Sequence, residues 1–334
     1  MELDKQTKRQ AIKAFSRVHS SVFWYLILGY VLIYAAQIIT ILIVGADAAV
    51  TLTENPYYIF GLQVAALYLI AFPLLLLMVR KLPSAQRSGQ DISIKELGYI
   101  FLVSYAVMLI GAIFSNWLNS VISGIIGHEV TNATAEIISR TPLWLIILVV
   151  VIIGPIVEEM IFRKVFIDKL SIYGDRLAIV VSAVAFGLFH GNLYQLFYAI
   201  GLGLILGYVY TKTRRSIYNC LLHMALNFMG SIPSILAEDS MNRIMELPAG
   251  APIEGSLIAD YYIVMGLSML QYGLAVAGIV VFVIATVKRS YNVPNECDIE
   301  IPAIKRPRVV FFSIGTICFV IFCIIQCILS LYLV

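Results

Sequence analysis

The chain has 334 residues, of which 60% are hydrophobic and only 13% charged. Its mean hydropathy is +0.91. A soluble domain carries about 25% charged residues, so this composition excludes a soluble globular protein and predicts a polytopic helical membrane protein. The net charge of +3 says little about partners, because the placement of the charges is more informative than their sum, and no nucleic-acid partner is expected.

The N-terminal 21 residues are polar and basic, with Lys5, Lys8, Arg9, Lys13 and Arg17. His19 falls in this segment and is expected to be solvated. An apolar run then covers about 22–44. It is too long for the apolar part of a signal peptide, so it reads as a retained span. Further runs fall at about 57–79, 97–122, 143–169, 177–190, 192–211, 216–237, 260–287 and 309–333. The expectation is an all-α transmembrane bundle of about nine spans, with eight as the alternative. The fifth and sixth spans share so little chain that both must be short, with a tight turn at Gly191-Asn192.

Lysine and arginine placement sets the orientation. With the N-terminus in the cytosol, segments 1–21, 80–96, 163–176, 211–215 and 288–308 carry 5, 4, 4, 3 and 5 basic residues, together 21 of the 23. Nine spans then leave the C-terminus external. Loops 123–141 and 238–259 lie outside. The second is rich in Pro, Gly and Ala and reads as an irregular segment, either a connector or a lid. The five cysteines imply neither a disulfide framework nor a metal site.

The fourth run carries charge where lipid would not tolerate it. Gly154-Pro-Ile-Val-Glu158-Glu159-Met-Ile-Phe-Arg163 holds two carboxylates and a guanidinium. At roughly 3 kcal/mol for each ionised side chain at mid-bilayer, three unpaired charges would cost on the order of 9 kcal/mol. They must face the protein interior or water. Glu159 and Arg163 are four apart and share a helix face, so they can pair. Glu158 points about 100° away and is free to face a cavity. Pro155 interrupts the backbone ladder one turn earlier.

Two of the four histidines belong to spans. His190 closes Phe186-Gly-Leu-Phe-His190, and His223 opens His223-Met-Ala-Leu-Asn227. His128 lies in the external loop 123–141, where His128-Glu129-Val-Thr-Asn132 lacks the second histidine of a zinc-protease helix. Asn132-Ala-Thr134 is a glycosylation sequon in a secretory setting. A carboxylate, two imidazoles and an amide from separate helices are the groups needed to activate water and stabilise an oxyanion. The bland alternative is an interhelical polar network that only fixes packing. Residue counting puts Glu158 and His223 in the inner half of the bundle, whereas His190 sits higher unless the fifth span is sunken. The cavity is expected among the fourth, fifth and seventh spans, opening to the cytosol or sideways.

In order, EEMIFR, FGLFH and HMALN resemble the EExxxR, FxxxH and HxxxN motifs of the type II CAAX prenyl endopeptidase and bacteriocin-processing (CPBP, or Abi) family. The resemblance covers about residues 140–240, four spans within a single transmembrane domain spanning 1–334, with additional spans in 1–139 and 241–334. It implies an intramembrane endopeptidase acting on a membrane-associated peptide or protein tail. Glu158 would activate water with help from His190. His223 and Asn227 would stabilise the oxyanion, and Glu159 and Arg163 would organise the site. The resemblance leaves the cofactor open between none and zinc, the latter held by Glu158, His190 and His223. Two other readings stand beside it. One is a non-catalytic bacteriocin-immunity or scaffold protein; the other is an ion-coupled transporter, which the lack of paired repeats disfavours.

Overall fold

A computed structural model describes residues 5–248, 252–288, 292, 295–302 and 305–332. It is all-helical, with no strand among the described residues. Nine helices dominate: α1 (Lys5–Val44), α2 (Pro56–Val79), α3 (Ile94–Ile126), α4 (Leu143–Tyr173), α5 (Asp175–Phe189), α6 (Leu193–Thr213), α7 (Ser216–Met245), α8 (Leu257–Val287) and α9 (Ile314–Leu329). Seven of them are long and apolar enough to cross a membrane, which makes this an integral multi-pass membrane protein. The other two, α5 and α9, have 15 and 16 residues.

The helices extend past the apolar runs that reveal them, because hydropathy stops where the lipid would, whereas backbone hydrogen bonding need not. α1 begins at Lys5, and Ala11, Ala14, Phe15, Val18 and Val22 form a buried stripe at helical spacing beneath its basic residues. His19 borders this stripe and is 3% exposed, not solvated. Its Nδ1 lies 2.7 Å from the Phe15 carbonyl and 3.2 Å from Thr316 Oγ1, and its ring packs between Phe166 and Phe319. The segment expected to be an irregular loop from 238 is helical to Met245. Ser240 and Arg243 both bond to Asp260 of α8, which holds this extra helix in place. Of the Pro/Gly/Ala stretch, residues 249–251 lie outside the described residues. The loop 123–141 also contains a short helix, Ala133–Ser139, whose N-cap Asn132 accepts from the Ala135 N–H.

α6 packs against α3 and α5, α7 against α4 and α8, and α1 against α2 and α9. A Cβ at Gly203 would lie 2.7 Å from Ala183 Cα, so this glycine is what lets α5 and α6 approach so closely. The basic end is laced by polar bonds. The Asp175 carboxylate receives Arg214 Nη2 at 2.7 Å and the Glu296 N–H at 3.1 Å. The Asp298 and Ile299 N–H groups donate to the Ile172 carbonyl at 3.0 and 2.9 Å. Arg87 pairs with both Glu296 and Asp298.

Candidate active site

The fourth helix solves its proline problem by loosening. Wide turns with i→i+5 hydrogen bonds run over Ile147–Ile153 and again over Met160–Ile167, flanking the regular turns of Gly154–Glu159. The Gly154 N–H bonds to the Val149 carbonyl. At the same spacing the Val150 carbonyl would look to the nitrogen of Pro155, which has no hydrogen to give. Asn227 of α7 supplies the missing donor, its Nδ2 lying 2.9 Å from Val150 O.

Glu158 and Glu159 then take different surroundings. Glu159 is fully buried, while the Glu158 side chain is 22% exposed and faces a cavity. Arg163, also fully buried, donates from Nε to Glu159 Oε2 at 2.9 Å, the pairing that their spacing predicts. Its Nη1 donates to Ser182 Oγ at 3.1 Å, and that hydroxyl donates to the Phe162 carbonyl at 2.6 Å. A buried guanidinium is tolerable only with such partners.

His223 bridges the two carboxylates. Nδ1 lies 2.9 Å from Glu159 Oε1, and Nε2 lies 3.6 Å from Glu158 Oε2. With Nδ1–H donated to Glu159, Nε2 is the atom presented to Glu158. His190 is held in the same manner by the backbone, its Nδ1 lying 2.8 Å from the Phe186 carbonyl, which leaves Nε2 for the cavity. Phe186 stands between the imidazoles, its centroid 4.9 Å from that of His190 and 5.7 Å from that of His223, with the Arg163 guanidinium 5.3 Å from its ring.

His190 lines the cavity together with Glu158, His223 and Asn227, so the expected mismatch in height is absent. At ~1.5 Å per residue α5 is about 22 Å long, well short of the ~30 Å hydrocarbon layer. Gly191, at φ 63°, reverses the chain there. Asn192 caps α6 by accepting from the Gln195 N–H, and its amide donates to the His190 carbonyl at 2.9 Å.

The cavity encloses about 300 Å³. Beyond the catalytic candidates its walls include Ile59, Phe60, Gln63 and Tyr68 of α2 and Thr134, Ile137 and Ile138 of the short helix Ala133–Ser139, at the end of the bundle away from the basic segments. Spacing along the chain gives no sign of Ser182, Tyr68 or Tyr198. The two tyrosines line the cavity, and Tyr198 accepts a hydrogen bond from Gln195 Nε2 at 3.0 Å.

Zinc would suit the donor types. Both imidazoles have Nδ1 occupied and Nε2 turned inward, the arrangement usual for metal-bound histidine. The spacing does not match the donor set: among the described residues no three His, Cys, Asp or Glu side chains gather closely enough to hold a metal ion.

Comparison with known proteins gives a consistent answer. Residues 140–229 match the family model of the type II CAAX prenyl endopeptidase Rce1-like proteins. YdiL of Bacillus subtilis (strain 168), a candidate membrane peptidase by name, is 29% identical over 61% of this chain and 86% of its own. The membrane-embedded CAAX protease MroQ of Staphylococcus aureus (strain USA300) is 26% identical over 56% of this chain and 93% of its own. No solved structure matches the chain. The matched segment contains all three ordered motifs, Glu158-Glu159-x-x-x-Arg163, Phe186-x-x-x-His190 and His223-x-x-x-Asn227, and the family model and both relatives support the resemblance to the CPBP family.

Proposed function

We propose that this protein is an intramembrane endopeptidase that hydrolyses a peptide bond in a membrane-associated peptide or protein tail, with Glu158 as the base that activates water. The observation that carries this reading is the division of labour between adjacent carboxylates. Glu159 is buried and bonded to both Arg163 and His223. Glu158 is left facing the cavity with an imidazole nitrogen at 3.6 Å.

Water held between Glu158 and the Nε2 atom of His190 gives its proton to Glu158 as its oxygen attacks the scissile carbonyl. The negative charge that develops on that carbonyl oxygen is met by His223 as an imidazolium, with Nδ1–H held by Glu159 and Nε2–H donating to the oxyanion, and by the second Nδ2–H of Asn227, the first being committed to Val150 O. Glu158 then returns the proton to the departing amine, and the tetrahedral intermediate collapses to acid and amine. Glu159 and Arg163 act through His223. The 2.9 Å bond from Nδ1 to Glu159 fixes the ring, and Arg163 balances the charge of Glu159. The N-terminus lies in the cytosol in this reading, since the basic segments gather at one end of the bundle.

The test is cleavage of a membrane-anchored peptide library by the purified full chain. Glu158→Gln is expected to lower kcat by ~10²–10⁴-fold, the usual contribution of a general base, with little change in folding. Cleavage by the wild type that survives a strong chelator supports water activation by side chains alone. Loss with chelator that is restored by added zinc assigns Glu158, His190 and His223 as metal ligands instead. Cleavage that persists in Glu158→Gln refutes the assignment of the base.

A further inference from the structure

The cavity has two walls of different character. One runs from Val149 to Asn227 and carries the Glu158 carboxylate, the two imidazoles and the Asn227 amide, all inside the segment that matches the family model. The other consists of Ile59, Phe60, Gln63 and Tyr68 from α2 with Thr134, Ile137 and Ile138 from the short helix Ala133–Ser139, all outside that segment. Four of these seven are large and apolar, and none of the seven carries a formal charge.

The two parts of this second wall are held differently: Phe60 is buried against Leu145 and Val149, whereas the short helix is loosely supported. Every residue of Ala133–Ser139 except Ile138 is exposed, and Ile137 is 36% exposed. Its polar side-chain bonds are local: Asn132 to Ala135, Ser139 to Glu136 and Arg140 to Glu136. Ile59 and Phe60 stand in the first turns of α2, far from Arg80 and Lys81 at its other end. The volume of about 300 Å³ lies at the bottom of the ~300–1,000 Å³ range of small-ligand pockets. It takes a few residues of extended chain and excludes a folded domain.

We propose that Ile59, Phe60, Ile137 and Ile138 form the side-chain pocket that selects the substrate, a peptide with a large apolar residue beside the cleaved bond, reaching Glu158 from the end of the bundle away from the basic segments. This rests on the peptidase reading. The chemistry then belongs to the segment that matches the family model, and the choice of substrate belongs to residues outside it.

The experiment uses the full chain in lipid nanodiscs and a library of membrane-anchored peptides randomised on either side of the cut, with products read by mass spectrometry. The wild type is expected to prefer Leu, Ile, Met or Phe beside the cut. Ile137→Ala combined with Ile138→Ala should shift that preference to bulkier side chains and lower kcat/KM for leucine peptides by at least ~10-fold, as a changed hydrophobic pocket does. Ser139→Ala, on the same helix but not on the cavity wall, should leave the profile alone. In parallel, the Glu158→Gln variant is crosslinked to the same peptides carrying a photoreactive leucine, which reports binding without cleavage. Crosslinks within 134–138 or at 59–60 support the pocket. Crosslinks confined to other segments, or an unchanged profile in the double variant, overturn it while leaving the peptidase reading intact. Unimpaired cleavage by Glu158→Gln overturns that reading, and this pocket with it.

Discussion

Replacing Asn227 with alanine should do two separable things. It removes a donor from a half-buried backbone carbonyl, Val150 O, that Pro155 cannot satisfy. An unsatisfied buried acceptor costs about 1–3 kcal/mol, so at this half-buried carbonyl Asn227→Ala should destabilise the fold by about 1 kcal/mol, the lower end of that range. It also removes the amide proposed to meet the oxyanion, and losing one such donor lowers kcat by about 10²–10³-fold. The rescue is specific. Pro155→Ala restores a backbone N–H at the spacing Val150 O lacks, so the double variant Pro155→Ala/Asn227→Ala should recover about 1 kcal/mol of stability but none of the lost rate. Stability is read by denaturant titration in mixed micelles, and rate by peptide cleavage in the same micelles. If Pro155→Ala leaves the stability cost of Asn227→Ala unchanged, the carbonyl is not the reason for that cost. If it restores the rate too, Asn227 acts only on the backbone.

Other perturbations follow from the same contacts. Arg163→Met leaves Glu159 buried without its cation and should cost about 3–5 kcal/mol; adding Glu159→Gln should return a large part of it in the same titration. Ser182→Ala removes one bond to Arg163 and one to the Phe162 carbonyl, with an expected loss of about 1–2 kcal/mol and a smaller effect on KM than on kcat. Gly203→Ala puts a methyl group 2.7 Å from Ala183 Cα. It should cost about 1–3 kcal/mol through overpacking and lower activity by shifting α5 and its His190; unchanged stability and activity would show that α5 and α6 tolerate separation.

The helix pattern was legible because apolar runs and basic segments alternate regularly, and the Glu159–Arg163 pairing because residues four apart share a face. The grouping of the site was legible as a set of motifs but not as a geometry. Nothing in Phe186-x-x-x-His190 tells how far α5 sinks; that depends on where the chain reverses at Gly191. Asn227 was expected at an oxyanion, and its bond to Val150 O depends on a turn widening in another helix. His19 looked solvated because its neighbours in sequence are basic, yet its neighbours in space are Phe166 and Phe319. The short helix Ala133–Ser139 on the cavity wall is not legible because a seven-residue helix inside a polar loop has no hydropathy signature.

The anchoring of α5 has a consequence for where a substrate is cut. Its first residue, Asp175, is clasped by Arg214 and by the backbone of Glu296, and its last turn delivers His190. A rigid rod of 15 residues fastened at one end is a ruler. Adding one residue would turn His190 by about 100° and advance it ~1.5 Å, taking it out of the site. If the rod sets the level of the reacting atoms, the cleaved bond is chosen in part by its distance from the basic rim of the bundle. Substrates of unlike sequence would then share a cut at one height, and lengthening the tail between a membrane anchor and its preferred residue would move the cut along the sequence but not along the rod.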